Sequence, residues 1–247
     1  MHELNVAEGL HRIEDAHVNW YLLEESGRLL VIDTGLPASW RSLQRAAACI
    51  GRTLADIEAV VLTHGHFDHM GFAHRAQDEL GVDVWAPQGE DPVAHPWRYS
   101  HEDSRIPYLR HRYFAATFTR MTLAGALGVK GVKNVRSYGP GVQLDVPGRP
   151  TTIATPGHSV AHHSLLLPDR GVLLAGDAFV TIDPYTGCAG PRIVAGAATA
   201  DAGLALASVE SLGELDAETA LTGHGAPWRG TLREAAARVQ EAGAWRR

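Results

Sequence analysis

Ile57-Glu58-Ala59-Val60-Val61-Leu62-Thr63-His64-Gly65-His66-Phe67-Asp68-His69-Met70-Gly71 runs an apolar segment straight into three histidines and an aspartate. The first half is short and β-branched, so it reads as a buried strand. The second half reads as the loop at that strand's end, where binding groups collect. Imidazole nitrogen and carboxylate oxygen both bind zinc, at about 2.0–2.2 Å. Side chains two apart in extended chain point to one side, so His64 and His66 can grip a single ion. Asp68 and His69, at the start of the following helix, can reach a second ion beside it. Histidine makes up 14 of the 247 residues, two to three times an ordinary share of roughly 2%. Metal binding is therefore the first function to test.

Working outward, residues 19–33 (NWYLLEESGRLLVID) read as a β-hairpin around a Glu-Ser-Gly turn, closed by Asp33-Thr34-Gly35. Trp40, Leu43, Ala46, Ala47 and Ile50 then recur at helical spacing, with Ser39 as N-cap and Gly51 as stop. Past the histidine loop, residues 72–82 return to helix and 82–86 to strand. Residues 88–135 break this alternation with an irregular stretch rich in Pro, His and Trp, followed by a helical segment over 108–127; they read as an inserted helical cap. Residues 162–177 (HHSLLLPDRGVLLAGD) repeat the first hairpin, and a helix (201–215), a strand (218–225) and a helix (232–245) close the chain. No low-complexity linker separates the halves. The expected fold class is α/β (α+β): a four-layer αββα sandwich of two β-rich halves with a cap insertion, as one domain over 1–247.

The His64-x-His66-x-Asp68-His69 loop resembles the signature of the metallo-β-lactamase-fold hydrolase superfamily. Three later motifs are similar to the family's remaining ligands: Thr155-Pro156-Gly157-His158-Ser159, Gly176-Asp177-Ala178 and Gly223-His224-Gly225. The resemblance covers nearly the whole chain. It implies one metal held by His64, His66 and His158, a second held by Asp68, His69 and His224, and Asp177 bridging them. It implies two zinc ions, with iron or manganese as alternatives. At His162 it implies a histidine behind the ligands, and Asp33 reads as a turn or supporting residue. His2, His11, His74, His95, His101 and His111 belong to no motif and read as solvated surface residues. Cys188 reads as a small buried thiol.

Five neutral imidazoles and two carboxylates around two divalent ions leave a net positive site, which favours hydroxide as the outside ligand. The expected reaction is attack of that metal-bound hydroxide on a carbonyl carbon. Asp68 is the catalytic residue, accepting the hydroxide's hydrogen bond or passing its proton to the leaving group. The net charge of −6 argues against a nucleic-acid partner. Arg105, Arg110, Arg112 and Arg120 read as a solvated helix face. Cys49 and Cys188 form neither a disulfide framework nor a CxxC motif. Neither a signal-like start nor an 18-residue apolar run is present, so a cytoplasmic location, no membrane and a small-molecule substrate are expected. Acyl-homoserine lactonases of this family place a tyrosine three residues after the bridging aspartate, where this chain has Val180; Tyr185 is the available substitute. The expected activity is hydrolysis of a small carboxylic ester, thioester or lactone. The alternatives are a β-lactam hydrolase and a non-catalytic metal-binding module.

Overall fold

The computed structural model describes residues 1–245; Arg246 and Arg247, the end of the expected domain, lie outside the described residues. Seven strands form the first sheet in chain order: β1 (His2–Ala7), β2 (Leu10–Asp15), β3 (Val18–Glu25), β4 (Arg28–Ile32), β5 (Ile57–Val61), β6 (Asp83–Pro87) and β7 (Arg136–Tyr138). Pairing is antiparallel from β1 to β4 and parallel from β4 to β7. Parallel neighbours need a crossover, and helices α1 (Trp40–Cys49) and α2 (Ala73–Leu80) supply the first two. The second half contributes β8 (Thr151–Ala154), β9 (His163–Leu167), β10 (Val172–Gly176), a ribbon of β11 (Val180–Ile182) with β12 (Ala189–Arg192), then β13 (Thr219–Thr222) and β14 (Trp228–Arg229). Its main sheet has the order β14-β13-β10-β9-β8.

The four layers follow from the period-two alternation of strand side chains. Along β3 and β4, Tyr21, Leu23, Leu30 and Ile32 enter a core shared with Leu165, Leu167, Val172 and Leu174 of the second sheet. Their neighbours Trp20, Leu22, Leu29 and Val31 face the other way, onto Leu43, Ala46 and Ala47 of α1 and Ala73 and Ala76 of α2. On the far side, Leu173 and Ala175 of β10 pack under α4 (Ala202–Leu212) and α5 (Leu232–Ala242). The result is the expected αββα sandwich.

Asp201 caps α4 by accepting the Leu204 N–H at 2.8 Å, and Thr231 and Glu234 close a capping box on α5. Ser39 departs from expectation. It precedes α1, but its hydroxyl accepts the Leu36 N–H at 3.2 Å instead of capping the helix, because a 3-10 turn over Pro37–Ser39 leads in. Strands β1 and β2 mix polar and charged residues such as Glu3, Asn5, Arg12, Glu14 and Asp15 with few apolar ones, which concealed them in the sequence. They also overturn one surface assignment: His11 is buried, with Nδ1 accepting the Asn5 N–H at 3.2 Å. Between β6 and β7 the chain runs through short turns and one helix, α3 (Arg112–Leu123). Among the described residues no helix is long and apolar enough to cross a membrane.

Candidate metal centre

The seven residues singled out from the motifs converge at one end of the sandwich. Strand β5 delivers the 64–69 loop, the β8–β9 connection delivers His158, Asp177 follows β10, and His224 follows β13. Donor atoms of His64, His66 and His158 lie within 4.8 Å of one another, and so do those of Asp68, His69 and His224. Asp177 sits between the two sets: its Oδ2 is 3.5 Å from His158 Nε2, 3.6 Å from His69 Nε2 and 3.3 Å from His224 Nε2. Gly223 makes room for this junction, since a Cβ there would fall 2.0 Å from Asp177 Oδ1.

Neighbouring groups set the ring orientations. Asp33 Oδ2 stands 3.0 Å from His69 Nδ1, accepting the hydrogen bond of that N–H and turning Nε2 toward the other donors. The Asp33, His64 and His69 donors also lie within 4.8 Å of one another, but this grouping is explained by hydrogen bonds. Thr63 bridges it, with its Oγ1 3.0 Å from His64 Nδ1 and 2.9 Å from Asp33 Oδ2. His224 Nδ1 donates to the His17 carbonyl at 2.7 Å. His162 accepts the Asp177 backbone N–H on Nε2 at 3.0 Å, so its proton is on Nδ1, which donates to Thr155 Oγ1 at 2.8 Å. The His17 carbonyl, Thr63 and Thr155 escaped the sequence reading because a backbone oxygen and a threonine carry no distinctive spacing.

The electrostatics sort the histidines into two kinds. Burial, with neighbouring imidazoles, pushes His64 and His158 far below the usual histidine range, and burial pushes His66 down to about 3. Each is a neutral base. Burial is the largest single influence on His69 and His224 and opposes their charge, yet the charges of Asp177 and Asp68 and the hydrogen bonds to Asp177 together outweigh it and raise both, with the Asp33 hydrogen bond adding to the effect on His69. Asp177 is itself held well below the usual carboxylate range, burial being overcome by His224 and His69. Nε2 of His64, His66, His69 and His158, and Oδ1 of Asp177, are buried without a hydrogen-bond partner. Such orphaned polar atoms cost about 1–3 kcal/mol each unless a ligand meets them. Nitrogen and carboxylate donors converging in this way suit a divalent cation.

Residues 13–224 match the family described as the metallo-beta-lactamase superfamily. The chain belongs to that superfamily. It is 28% identical over 239 residues to "Probable metallo-hydrolase YflN" of Bacillus subtilis (strain 168), covering 91% of this chain and 86% of that protein. Among solved structures it is similar to the metallo-beta-lactamase family protein TTHA1429 from Thermus thermophilus. That match has a TM-score of 0.69 at 26% identity, covering 96% of this chain and 80% of the other. BJP-1, a subclass B3 metallo-beta-lactamase of Bradyrhizobium japonicum, matches with a TM-score of 0.64 at 19% identity, covering 95% and 89%. That last likeness is one of fold.

Five of the donors of this superfamily member, His66, Asp68, His158, Asp177 and His224, line a cleft whose walls are largely aromatic. Trp97, Tyr99, Phe114, Phe118 and Met121 come from residues 88–135, and Tyr185 faces them. Tyr185 stacks on Phe114 with ring centroids 5.2 Å apart, and Tyr99 lies 4.4 Å from the His66 ring. Arg105, Arg110, Arg112 and Arg120 are all exposed, and Arg105 is also at the cleft, with its guanidinium 5.0 Å from the Tyr99 ring centroid. Cys188 is only half-buried, contrary to the buried thiol expected, and belongs to none of the donor clusters.

Proposed function

We propose that the chain is a dinuclear zinc hydrolase acting on a small ester, thioester or lactone. His64, His66 and His158 would hold one ion, Asp68, His69 and His224 the other, and Asp177 both. The observation that carries this reading is a single cleft whose floor is two adjoining donor sets and whose walls are apolar. When bound, the ions supply Lewis acidity, polarising a carbonyl oxygen and lowering the pKa of water toward about 7. Asp68 Oδ2, 3.5 Å from His224 Nε2 and on the cleft surface, is placed to take a proton from water and hand it to the leaving group. Asp33 and the His17 carbonyl keep His69 and His224 in the tautomer that presents Nε2. The aromatic walls cover the acyl or ring portion of the substrate and exclude water, and Arg105 pairs with a substrate carboxylate.

The test is a panel of aryl esters, thioesters, lactones and β-lactams given to protein of measured metal content. Two metals per chain and turnover of the acyl compounds are expected, with a carboxylate-bearing ester preferred over its neutral analogue. Arg105→Gln should lower that preference about tenfold, roughly one charge-assisted contact's worth. β-Lactams turned over fastest would move the substrate assignment. Fully loaded protein without turnover of any member would leave a binding module.

A further inference from the structure

Glu90 lies just after β6, outside the cleft, and is only 6% exposed. A buried carboxylate is costly unless its oxygens are satisfied, and the partners here are backbone amides of two different loops. Oε1 accepts the N–H of Gly65, between His64 and His66, at 3.1 Å. Oε2 accepts the N–H of Ala161, three residues after His158, also at 3.1 Å. The turn that carries Glu90 is pressed onto the first loop: a Cβ on Gly65 would sit 2.6 Å from the Val93 nitrogen. That turn is closed by the Val93 N–H donating to the Glu90 carbonyl at 3.1 Å.

Of the histidines these loops carry, His66 and His158 lack a side-chain anchor on Nε2, although the His158 backbone carbonyl accepts the Ala200 N–H at 3.0 Å. His64 is oriented by Thr63, His69 by Asp33 and His224 by the His17 carbonyl. His158 has no hydrogen-bond partner on either ring nitrogen, and His66 has none on Nε2. The His66 ring touches other rings, those of Tyr99, His64 and His158. Two of the three nitrogens in the all-histidine set are thus placed chiefly by their backbones, and the Glu90 carboxylate ties those backbones together at Gly65 and Ala161, beside a direct backbone bond from the His163 N–H to the Thr63 carbonyl at 3.1 Å.

We propose that Glu90 is a positioning residue for the three-histidine metal site, setting the distance between the His64–His66 loop and the His158 loop. The inference rests on the dinuclear reading above. It is selective, because the Asp68, His69 and His224 set is supported by Asp33 and His17 instead. In Glu90→Gln one oxygen is replaced by an amide NH2 that faces a backbone N–H, so one of the two ties is lost; Glu90→Asp keeps both acceptors but falls short by one methylene.

The experiment is stepwise zinc release to a chromophoric chelator for wild type, Glu90→Gln and Glu90→Asp, with His224→Ala identifying which step belongs to which site. Glu90→Gln should weaken the three-histidine step about 10- to 100-fold, as losing an outer partner of a metal ligand does. The other step should stay close to its wild-type affinity, and Glu90→Asp should fall in between. Cobalt substitution gives a second readout, since a displaced histidine changes the ligand-field spectrum of the first site alone. Folded Glu90→Gln protein with both affinities at the wild-type level would overturn the proposal, and so would equal weakening of both steps with loss of metal-free stability. If Glu90→Gln does not fold, the Glu90→Asp series decides by the same criteria. Wild-type protein that takes up no zinc would remove the dinuclear reading itself, an outcome visible before any variant is measured.

Discussion

His162 illustrates how one side chain can constrain the centre without reaching it. Its Nε2 is an acceptor for the Asp177 amide, so protonating the ring both charges a buried group and breaks that bond. Burial accordingly pushes it down to about 3, against about 6.5 in an unfolded chain. A lowered histidine contributes its stability fully above about pH 6.5 and loses it as the pH falls toward about 3, at up to about 1.4 kcal/mol per pH unit. His64, His66 and His158 are lowered too and act in the same direction. The raised His69 and His224 contribute fully below about pH 6.5 and add no opposing slope in this window. Metal-free protein should therefore lose stability steeply between about pH 6.5 and about pH 4, as followed by urea midpoints, and His162→Gln should flatten that dependence by about one group's share. Midpoints that do not move over this range would contradict the burial of neutral imidazoles. The sequence marked His162 by its place beside His163 at the head of a strand and by the resemblance, which implies a histidine behind the ligands there. What made it a support rather than a surface histidine is a hydrogen bond across 15 residues to a group beyond the next strand.

At the level of elements, the stretch from 88 to 135 divides in two. Glu90 and Val93 belong to the turn pressed against the histidine loop, and Val132 returns to donate its N–H to the Val93 carbonyl at 2.9 Å. Between them, α3 and the turns before it contribute the cleft wall while leaving Ile106, Leu109 and Leu123 exposed. We propose the cap reading for this inner part, because long loops of this kind are usually lids or binding elements. Replacing residues 98–128 by a short linker should preserve both metals but change the ranking of substrates in the panel. Extending the deletion back through Glu90 should cost the three-histidine ion as well. Metal analysis of the two deletions separates these outcomes, and loss of metal in the shorter one would make α3 part of the structural core. The sequence marked this region by its broken alternation and its aromatics, but which of those aromatics face the donors depends on how α3 lies across the sheet ends.

Across the whole molecule, the donors are divided between the halves: His64, His66, Asp68 and His69 come from the first, and His158, Asp177 and His224 from the second. Bonds between the halves reinforce this. Asn19 Nδ2 donates to the Thr222 and Gly225 carbonyls at 2.8 and 2.7 Å, and Tyr21 donates to the Thr222 carbonyl at 2.7 Å. A metal bound only by the native fold stabilises by about 2.7 kcal/mol at about 100 times its Kd. For a chain of this size that raises Tm by roughly 5–10 °C. Removing metal with a chelator should lower Tm by this amount, and calorimetry with and without zinc measures it; an unchanged Tm would mean that the native fold does not bind zinc in preference to the unfolded chain. Local sequence was enough to mark strands β3, β4, β5, β6, β9, β10 and β13, the helices α1, α2, α4 and α5 and the His64–His69 loop, while the resemblance to the superfamily pointed to His158, Asp177 and His224. Those features are encoded by periodicity and by short motifs, whose chemistry lies within a few neighbouring residues. The polar strands β1, at the sheet edge, and β2 beside it, the burial of His11, the placement of Arg105 at the cleft and the contacts of Glu90 were decided by the tertiary structure. Each depends on a partner that is distant in the chain or on packing that no local pattern encodes, and only the closing of one sheet over the other brings such groups within hydrogen-bonding range.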